Sequence, residues 1–236
     1  KIFSAKKGND NWKDIKELEL NDQESSCAFP SINREGNMLY FTSDRGGGYG
    51  GKDIYYSTLV NGVWSKPKNA GKAVNTAGDE RYPFIHADGT LYFSSTGLPG
   101  YGGMDIFKCV PNKLGEFGKP ENLGKPFNSA TDDFGFYLDG TYSKGFFSSN
   151  RNGGLGSDDI YSFEFTDIPF DLNLYTDGKV SDDIKISIQK NGQVIKEGLY
   201  SKRLSLYLDT NSTYTFDCTK DGFTAERVEI KTALNK

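Results

Sequence analysis

Apolar residues along this chain fall in short runs separated by glycine-rich turns. The run Met38-Leu39-Tyr40-Phe41 is consecutive rather than alternating, the pattern of a strand buried on both faces. "DIYYSTLV" (53–60) is a second β-rich run. Asn61-Gly62 follows it, a strong hairpin signal between such runs. Together with a strand around 29–33 and a looser one near Trp64, these runs predict a four-stranded unit.

The unit repeats. Phe41-Thr42-Ser43, Phe93-Ser94-Ser95 and Phe147-Ser148-Ser149 each lead to an Asp-Ile-aromatic triplet at Asp53, Asp105 and Asp159. The step from Phe to Asp is 12 positions every time (41 to 53, 93 to 105, 147 to 159). A tight turn precedes each copy at Glu35-Gly36, Asp88-Gly89 and Asp139-Gly140. Downstream, "VWSKPKNAGKAVN" (63–75) matches "EFGKPENLGKPFN" (116–128). Ile2 and Trp12 stand 52 positions before Ile54 and Trp64, so the chain opens in the second half of a further copy. A repeat of about 50 residues carrying four strands describes a β-propeller blade. Three sheet cores and the tail of a fourth do not close a ring, so a propeller is expected to draw on residues before Lys1.

Between strands two and three each copy carries a glycine loop, "TSDRGGGYGGKD" (42–53) in the first. Such loops can cradle phosphate, but a phosphate loop needs Gly-Lys-Ser/Thr opening a helix, and here Gly51-Lys52-Asp53 opens a strand. The glycines are expected to supply positive φ. Asp53, Asp105 and Asp159 are expected to accept hydrogen bonds from the loop N–H groups.

The repeat resembles the TolB-like (WD-like) propellers, above all those of OmpA-family envelope proteins of Bacteroidetes. "PFIHADGTLYFSSTGLPGYGGMDIF" followed by "GKPENLGKPFN" carries the likeness, which covers about residues 1–165. After Phe165 the pattern changes. "TDIPFDL" (166–172) reads as a linker. Beyond it "IKISIQ" (184–189), "RLSLYL" (203–208), "YTFDCT" (214–219) and "RVEIKT" (227–232) alternate with period two, the mark of an antiparallel sandwich with one solvated side. Residues 166–236, with "NGQVIKEG" and "TNSTYTFDCTKDGF", resemble the carboxypeptidase-regulatory-like domain, a transthyretin-like or Ig-like β-sandwich. The expected fold is all-β: a partial propeller followed by this sandwich.

Composition adds limits. Aromatics make up 14% and glycine numbers 28, in keeping with many short strands and turns. A net charge of −4 and the lack of a basic stripe disfavour nucleic acid. No apolar run approaches a membrane span, and Lys1-Ile2-Phe3-Ser4 is no signal-peptide core. Cys27, Cys109 and Cys218 share no C-x-x-C motif and are expected as isolated small residues.

Candidate chemistry is sparse. His86 lies in a repeated turn, which disfavours a Ser-His-Asp arrangement. One His and three scattered Cys do not make a metal cluster. Asp79-Glu80 and Asp132-Asp133 recur before strand one; they read either as a carboxylate ring at a channel mouth, binding a cation or sugar, or as charged residues of solvated loops. Arg45, Arg81 and Arg151 read as surface or inter-blade contacts.

The resemblance implies a non-catalytic, periplasmic, outer-membrane-associated scaffold without cofactor or metal. Its partners would be other envelope proteins, as in the type IX secretion system, with peptidoglycan reached only through a module outside these residues. The alternative is a glycan-binding or glycan-processing propeller. Loops 76–82, 97–103 and 129–134 are the expected contact face. Tyr49, Tyr82 and Tyr101 are either its aromatic anchors or packing between blades.

Overall fold

The computed structural model describes residues 1–112, 114–140, 143–165, 167–209 and 212–232. The described chain is all-β and contains no helix long and apolar enough to cross a membrane. Its contacts divide it into two units, Lys1–Gly140 with Gly145–Phe163, and Glu164–Lys236 with Thr141–Lys144.

The first unit is a series of antiparallel sheets. β1 (Phe3–Lys7) and β2 (Trp12–Glu17) form a hairpin. β3 (Cys27–Ile32), β4 (Met38–Ser43), β5 (Asp53–Val60) and β6 (Val63–Trp64) form a meander, with β7 (Lys68–Asn69) also pairing β5. β8 (Glu80–Ile85), β9 (Leu91–Ser95), β10 (Asp105–Cys109) and β11 (Glu121–Asn122) repeat it. β12 (Asp133–Leu138), β13 (Lys144–Ser149) and β14 (Asp159–Glu164) form the third copy.

β4 and β9 are buried on both faces, as their unbroken apolar runs require. On one face of the first complete sheet, Leu39, Phe41 and Tyr55 pack with Ile2 and Leu20 of the preceding half-copy. On its other face, Tyr40 and Ile54 pack with Leu91, Phe93 and Phe107 of the next copy. The first complete sheet is thus covered on both faces by its neighbours in sequence.

The first strand of the first copy begins at Cys27, two residues before the expected 29, and the first strand of each copy carries a β-bulge. The bulge places Phe29 at φ 53° and Tyr82 at φ 54°, where the third copy has Gly135 at 65°. An aromatic residue there costs about 1–2 kcal/mol in backbone strain. Ring stacking across neighbouring copies offsets it: Phe29 lies 4.1 Å from Tyr82, and Tyr82 lies 4.9 Å from Phe134.

An asparagine completes each junction. Asn75 accepts from Ile54 N–H at 2.8 Å and donates to Ile54 C=O at 2.9 Å. Asn128 does the same for Ile106 at 2.8 and 2.9 Å. Asn21 does so for Ile2 at 2.8 and 2.7 Å. The opening hairpin therefore repeats the junction of the complete copies.

In the second unit β15 (Asp167–Asn173) pairs along its whole length with β20 (Arg203–Asp209). The expected linker is a strand. Phe170 and Leu172 alternate toward the core, and partnering by β20 satisfies a segment whose composition reads as irregular. β16 (Tyr175–Thr176) and β17 (Lys179–Val180) form a small hairpin around Asp177 and Gly178. β18 (Ile184–Lys190), β19 (Gln193–Tyr200), β21 (Thr213–Thr219) and β22 (Glu226–Lys231) form one sheet in the order β19-β18-β21-β22. Ile184, Ile186, Ile188, Tyr214 and Phe216 give its buried face, packed with Leu204 and Leu208 of β20.

Replacing Asn128 by Ala would leave the Ile106 N–H buried without a partner, while the Ile106 carbonyl keeps the Leu123 N–H at 3.1 Å. We expect a loss of about 1–3 kcal/mol in unfolding free energy, read from the urea midpoint at unchanged slope. Asn112→Ala, in an exposed turn, should cost far less.

Candidate functional site

The three loop aspartates each stand at the base of their own glycine loop and do not converge on one site. Asp53 accepts from Tyr49 N–H at 2.5 Å, Gly50 N–H at 3.2 Å and the Asn69 amide at 2.7 Å. Asp105 accepts from Tyr101 N–H at 2.9 Å and Gly102 N–H at 3.1 Å. Asp159 accepts from Gly156 N–H at 3.3 and 3.2 Å. In the second copy Asp105 Oδ1 and the Asn122 amide nitrogen are both buried without a partner. Their counterparts Asp53 and Asn69 are bonded to each other in the first.

The glycines serve a different need from the one expected. Gly47 and Gly153 have positive φ, but no glycine of the second loop does. Close approach decides most positions. A Cβ on Gly48, Gly100 or Gly154 would collide with the carboxylate of Asp53, Asp105 or Asp159. A Cβ on Gly50 would strike the Gly78 carbonyl of the next copy, and one on Gly102 the Thr131 carbonyl. The third loop has no such neighbour, and there Ser157 stands where the others have Gly51 and Gly103.

These loops are stapled to the next copy. Lys52 N–H donates to Asp79 Oδ1 at 2.8 Å, and Met104 N–H to Asp132 Oδ1 at 2.8 Å. Glu80 N–H donates to Lys52 C=O at 2.6 Å, and Asp133 N–H to Met104 C=O at 2.7 Å. The paired carboxylates are therefore neither a channel ring nor solvated loop charges. Their first members hold loop backbone, and their second members are fully buried.

The buried members show how local charge is balanced. Cys27, Glu80 and Asp133 occupy equivalent places, each opposite the serine that ends strand two. Asp133 accepts from Arg151 at 2.6 Å and from Ser129 N–H at 2.6 Å. Arg151 lies over the rings of Phe147 and Tyr161, at 4.8 and 5.1 Å. Arg45 sits likewise over Phe41 and Tyr55 and points at Cys27 Sγ, 3.1 Å away. Each arginine also donates to backbone of the preceding copy, Arg45 to the Leu20 carbonyl at 3.2 Å and Arg151 to the Pro126 and Phe127 carbonyls at 2.9 and 2.7 Å, so both make contacts within and between copies. The middle copy has Gly97 in place of arginine, and Thr76 fills the space. Glu80 accepts there from Thr76 N–H at 2.7 Å, Thr76 Oγ1 at 2.6 Å and Ser95 Oγ at 2.6 Å. Burial pushes the Glu80 carboxyl above its usual range, these hydrogen bonds pull the other way, and Asp53 nearby adds to the rise. Arg81 pairs with Asp79.

His86 is buried in its turn, with Nδ1 2.9 Å from Asp88 and Nε2 3.1 Å from the Asp139 carbonyl. Cys27 and Cys109 are buried free thiols and Cys218 is half-buried. Burial raises Cys109 to about 12, which keeps it a protonated, unreactive thiol.

Tyr49 and Tyr101 hold equivalent loop positions and are 52% and 53% exposed. Tyr82 is not with them; it lies half-buried on β8 between Phe29 and Phe134. Sequence reasoning assigned no role to Asn21, Asn75 and Asn128. The signal for the latter two was the shared Gly-Lys-x-x-Asn ending of "AGKAVN" and "LGKPFN". No protein-family model matches this chain, and no curated protein matches it either.

Two substitutions test this reading. Gly100→Ala should destabilise by about 1–3 kcal/mol, because a Cβ there collides with the buried Asp105 carboxylate and displaces it from the Tyr101 and Gly102 N–H groups it accepts from. Glu80→Gln tests the buried charge. With its pKa raised in the fold, Glu80 favours folding below its unfolded value and loses that contribution as pH rises through the folded one. Wild type should therefore lose stability relative to Glu80→Gln between acid and neutral pH, in paired urea titrations.

Proposed function

We propose that the chain is a non-catalytic scaffold of the periplasm, associated with the outer membrane, and that it binds other envelope proteins. In this reading the four-stranded meanders are blades of a TolB-like propeller. The second unit is a transthyretin-like sandwich of the carboxypeptidase-regulatory kind. The repeat motifs and the order of the two units support it, because OmpA-family envelope proteins of Bacteroidetes have the same order. Relatives of that order include the PorE component of the type IX secretion system, and a comparable role is proposed for this chain. Peptidoglycan would be held by a module outside these residues.

One observation carries the interaction reading. Tyr49 and Tyr101 stand half-exposed at matching places on loops whose backbone is fixed by Asp53 and Asp105. Aromatic side chains on rigid supports lose little freedom on binding and are favoured interface anchors. The carboxylates that a catalytic reading would use are engaged instead by backbone N–H, hydroxyl and guanidinium groups of the repeat junctions.

The test is an affinity pull-down from envelope extract with wild type and with Tyr49→Ala/Tyr101→Ala, beside sedimentation with purified peptidoglycan. A specific envelope protein should be retained by wild type and reduced at least tenfold by the double variant, with unfolding midpoints unchanged. Strong sedimentation with peptidoglycan and no protein recovered would overturn the scaffold reading in favour of direct glycan binding.

A further inference from the structure

In the first two complete copies the base of the glycine loop holds the same two side chains, joined in different ways. In the first, the Asn69 amide donates to Asp53 at 2.7 Å. In the second, the counterparts Asp105 and Asn122 do not meet: Asp105 Oδ1 and Asn122 Nδ2 are each buried without a partner. One is an acceptor and the other a donor, so the two unmet needs are complementary.

Both side chains are held in place by other bonds. Asn122 Oδ1 accepts from Gly124 N–H at 2.7 Å and from the Asn128 amide at 2.8 Å. That fixes the amide plane and identifies the orphan atom as the nitrogen, because a flipped amide would set its N–H groups against both donors. Asn69 is fixed in the same way, by Gly71 N–H and the Asn75 amide, both at 2.8 Å. The asparagines are therefore alike, and the aspartates differ. Asp53 divides the loop N–H groups between its oxygens, Tyr49 on Oδ2 and Gly50 on Oδ1. Asp105 takes Tyr101 and Gly102 both on Oδ2, which leaves Oδ1 outside the loop contacts. Swinging this carboxylate across to Asn122 would pull it from the two backbone groups that hold it.

We infer that the second copy binds one structural water between these side chains, donating to Asp105 Oδ1 and accepting from Asn122 Nδ2–H. The chemistry of the site selects its occupant. A cation would meet the Asn122 N–H, an anion would meet the carboxylate, and only a small neutral group that both donates and accepts serves both atoms. Two polar partners suffice to hold a buried water, and leaving both groups bare is the costlier state. Asn122 is half-buried, which gives the water a short route to solvent. The first copy needs no such water, because Asn69 reaches Asp53 directly. The loops that carry Tyr49 and Tyr101 therefore rest on different bases, one closed by a direct bond and one by water.

Two measurements on the unaltered 236-residue chain test this: a crystal structure at a resolution that shows ordered water, and NMR of the chain isotopically labelled on nitrogen. The crystal should show one water between Asp105 Oδ1 and Asn122 Nδ2, with those atoms about 4–5.5 Å apart, the span of two hydrogen bonds meeting at one oxygen. In solution the Asn122 side-chain amide protons should give cross-peaks to water of opposite sign in NOESY and ROESY spectra, which marks a bound water rather than proton exchange. The Asn69 amide is the internal control and should give none. A direct Asp105–Asn122 hydrogen bond like that of Asp53 and Asn69 would overturn the proposal. So would an Asn122 amide without water cross-peaks, or one whose cross-peaks match those of Asn69.

Discussion

The first unit depends on the satisfaction of backbone groups at its repeat junctions. In the first two complete copies, strand three is paired on one side only over short stretches of the segment leading to the next copy, β6 and β7 in one and β11 in the other. That segment cannot offer a continuous ladder, so side chains supply the missing partners. Asn75 and Asn128 stand in for a strand by pairing both the N–H and C=O of an isoleucine. Asp79 and Asp132 cap the residue before each loop aspartate. Buried peptide groups without partners are costly, so these few polar residues decide whether the apolar faces can close on each other at all.

The glycine loops are the other side of that constraint. Loop backbone must come close to a carboxylate below it and to carbonyls of the next copy beside it. Only residues without a Cβ permit both approaches at Gly48, Gly50, Gly100 and Gly102. The third loop meets the carboxylate but no further copy, and it keeps Gly154 while Ser157 replaces the paired glycine. One loop thus separates the two demands. The same packing fixes Tyr49 and Tyr101 at the loop surface, which links junction geometry to the proposed binding role.

Charge is accommodated locally rather than by one rule. The buried position opposite the end of strand two carries a thiol, a long carboxylate and a short carboxylate in successive copies. Arginine sits over two rings where the side chain is Cys27 or the short Asp133. Where arginine is replaced by Gly97, the longer Glu80 reaches hydroxyl and amide donors instead. Burial holds the Glu80 carboxyl above its usual range, and its hydroxyl and amide donors oppose that rise.

Strand existence and repeat spacing were legible because they rest on local pattern. The unbroken run at 38–41 signalled two buried faces, and strands β4 and β5 fall at the residues that pattern marks. The Asp at the base of each loop was legible for the same reason, since an Asx-type acceptor acts within a few residues of itself. What lay beyond reach depends on contacts distant in sequence. Asn75 acts on Ile54, 21 positions away. The bulge that sets Phe29 and Tyr82 at positive φ is stabilised by rings from neighbouring copies. Residues 166–172 read as a linker because Pro169 punctuates them, yet pairing with β20 makes Asp167–Asn173 a strand, Thr166 lying outside the described residues. Sequence pattern determines which residues can be apolar strands and tight turns. Only the tertiary structure decides which polar side chains close the backbone between them, because those partners are chosen by proximity in space.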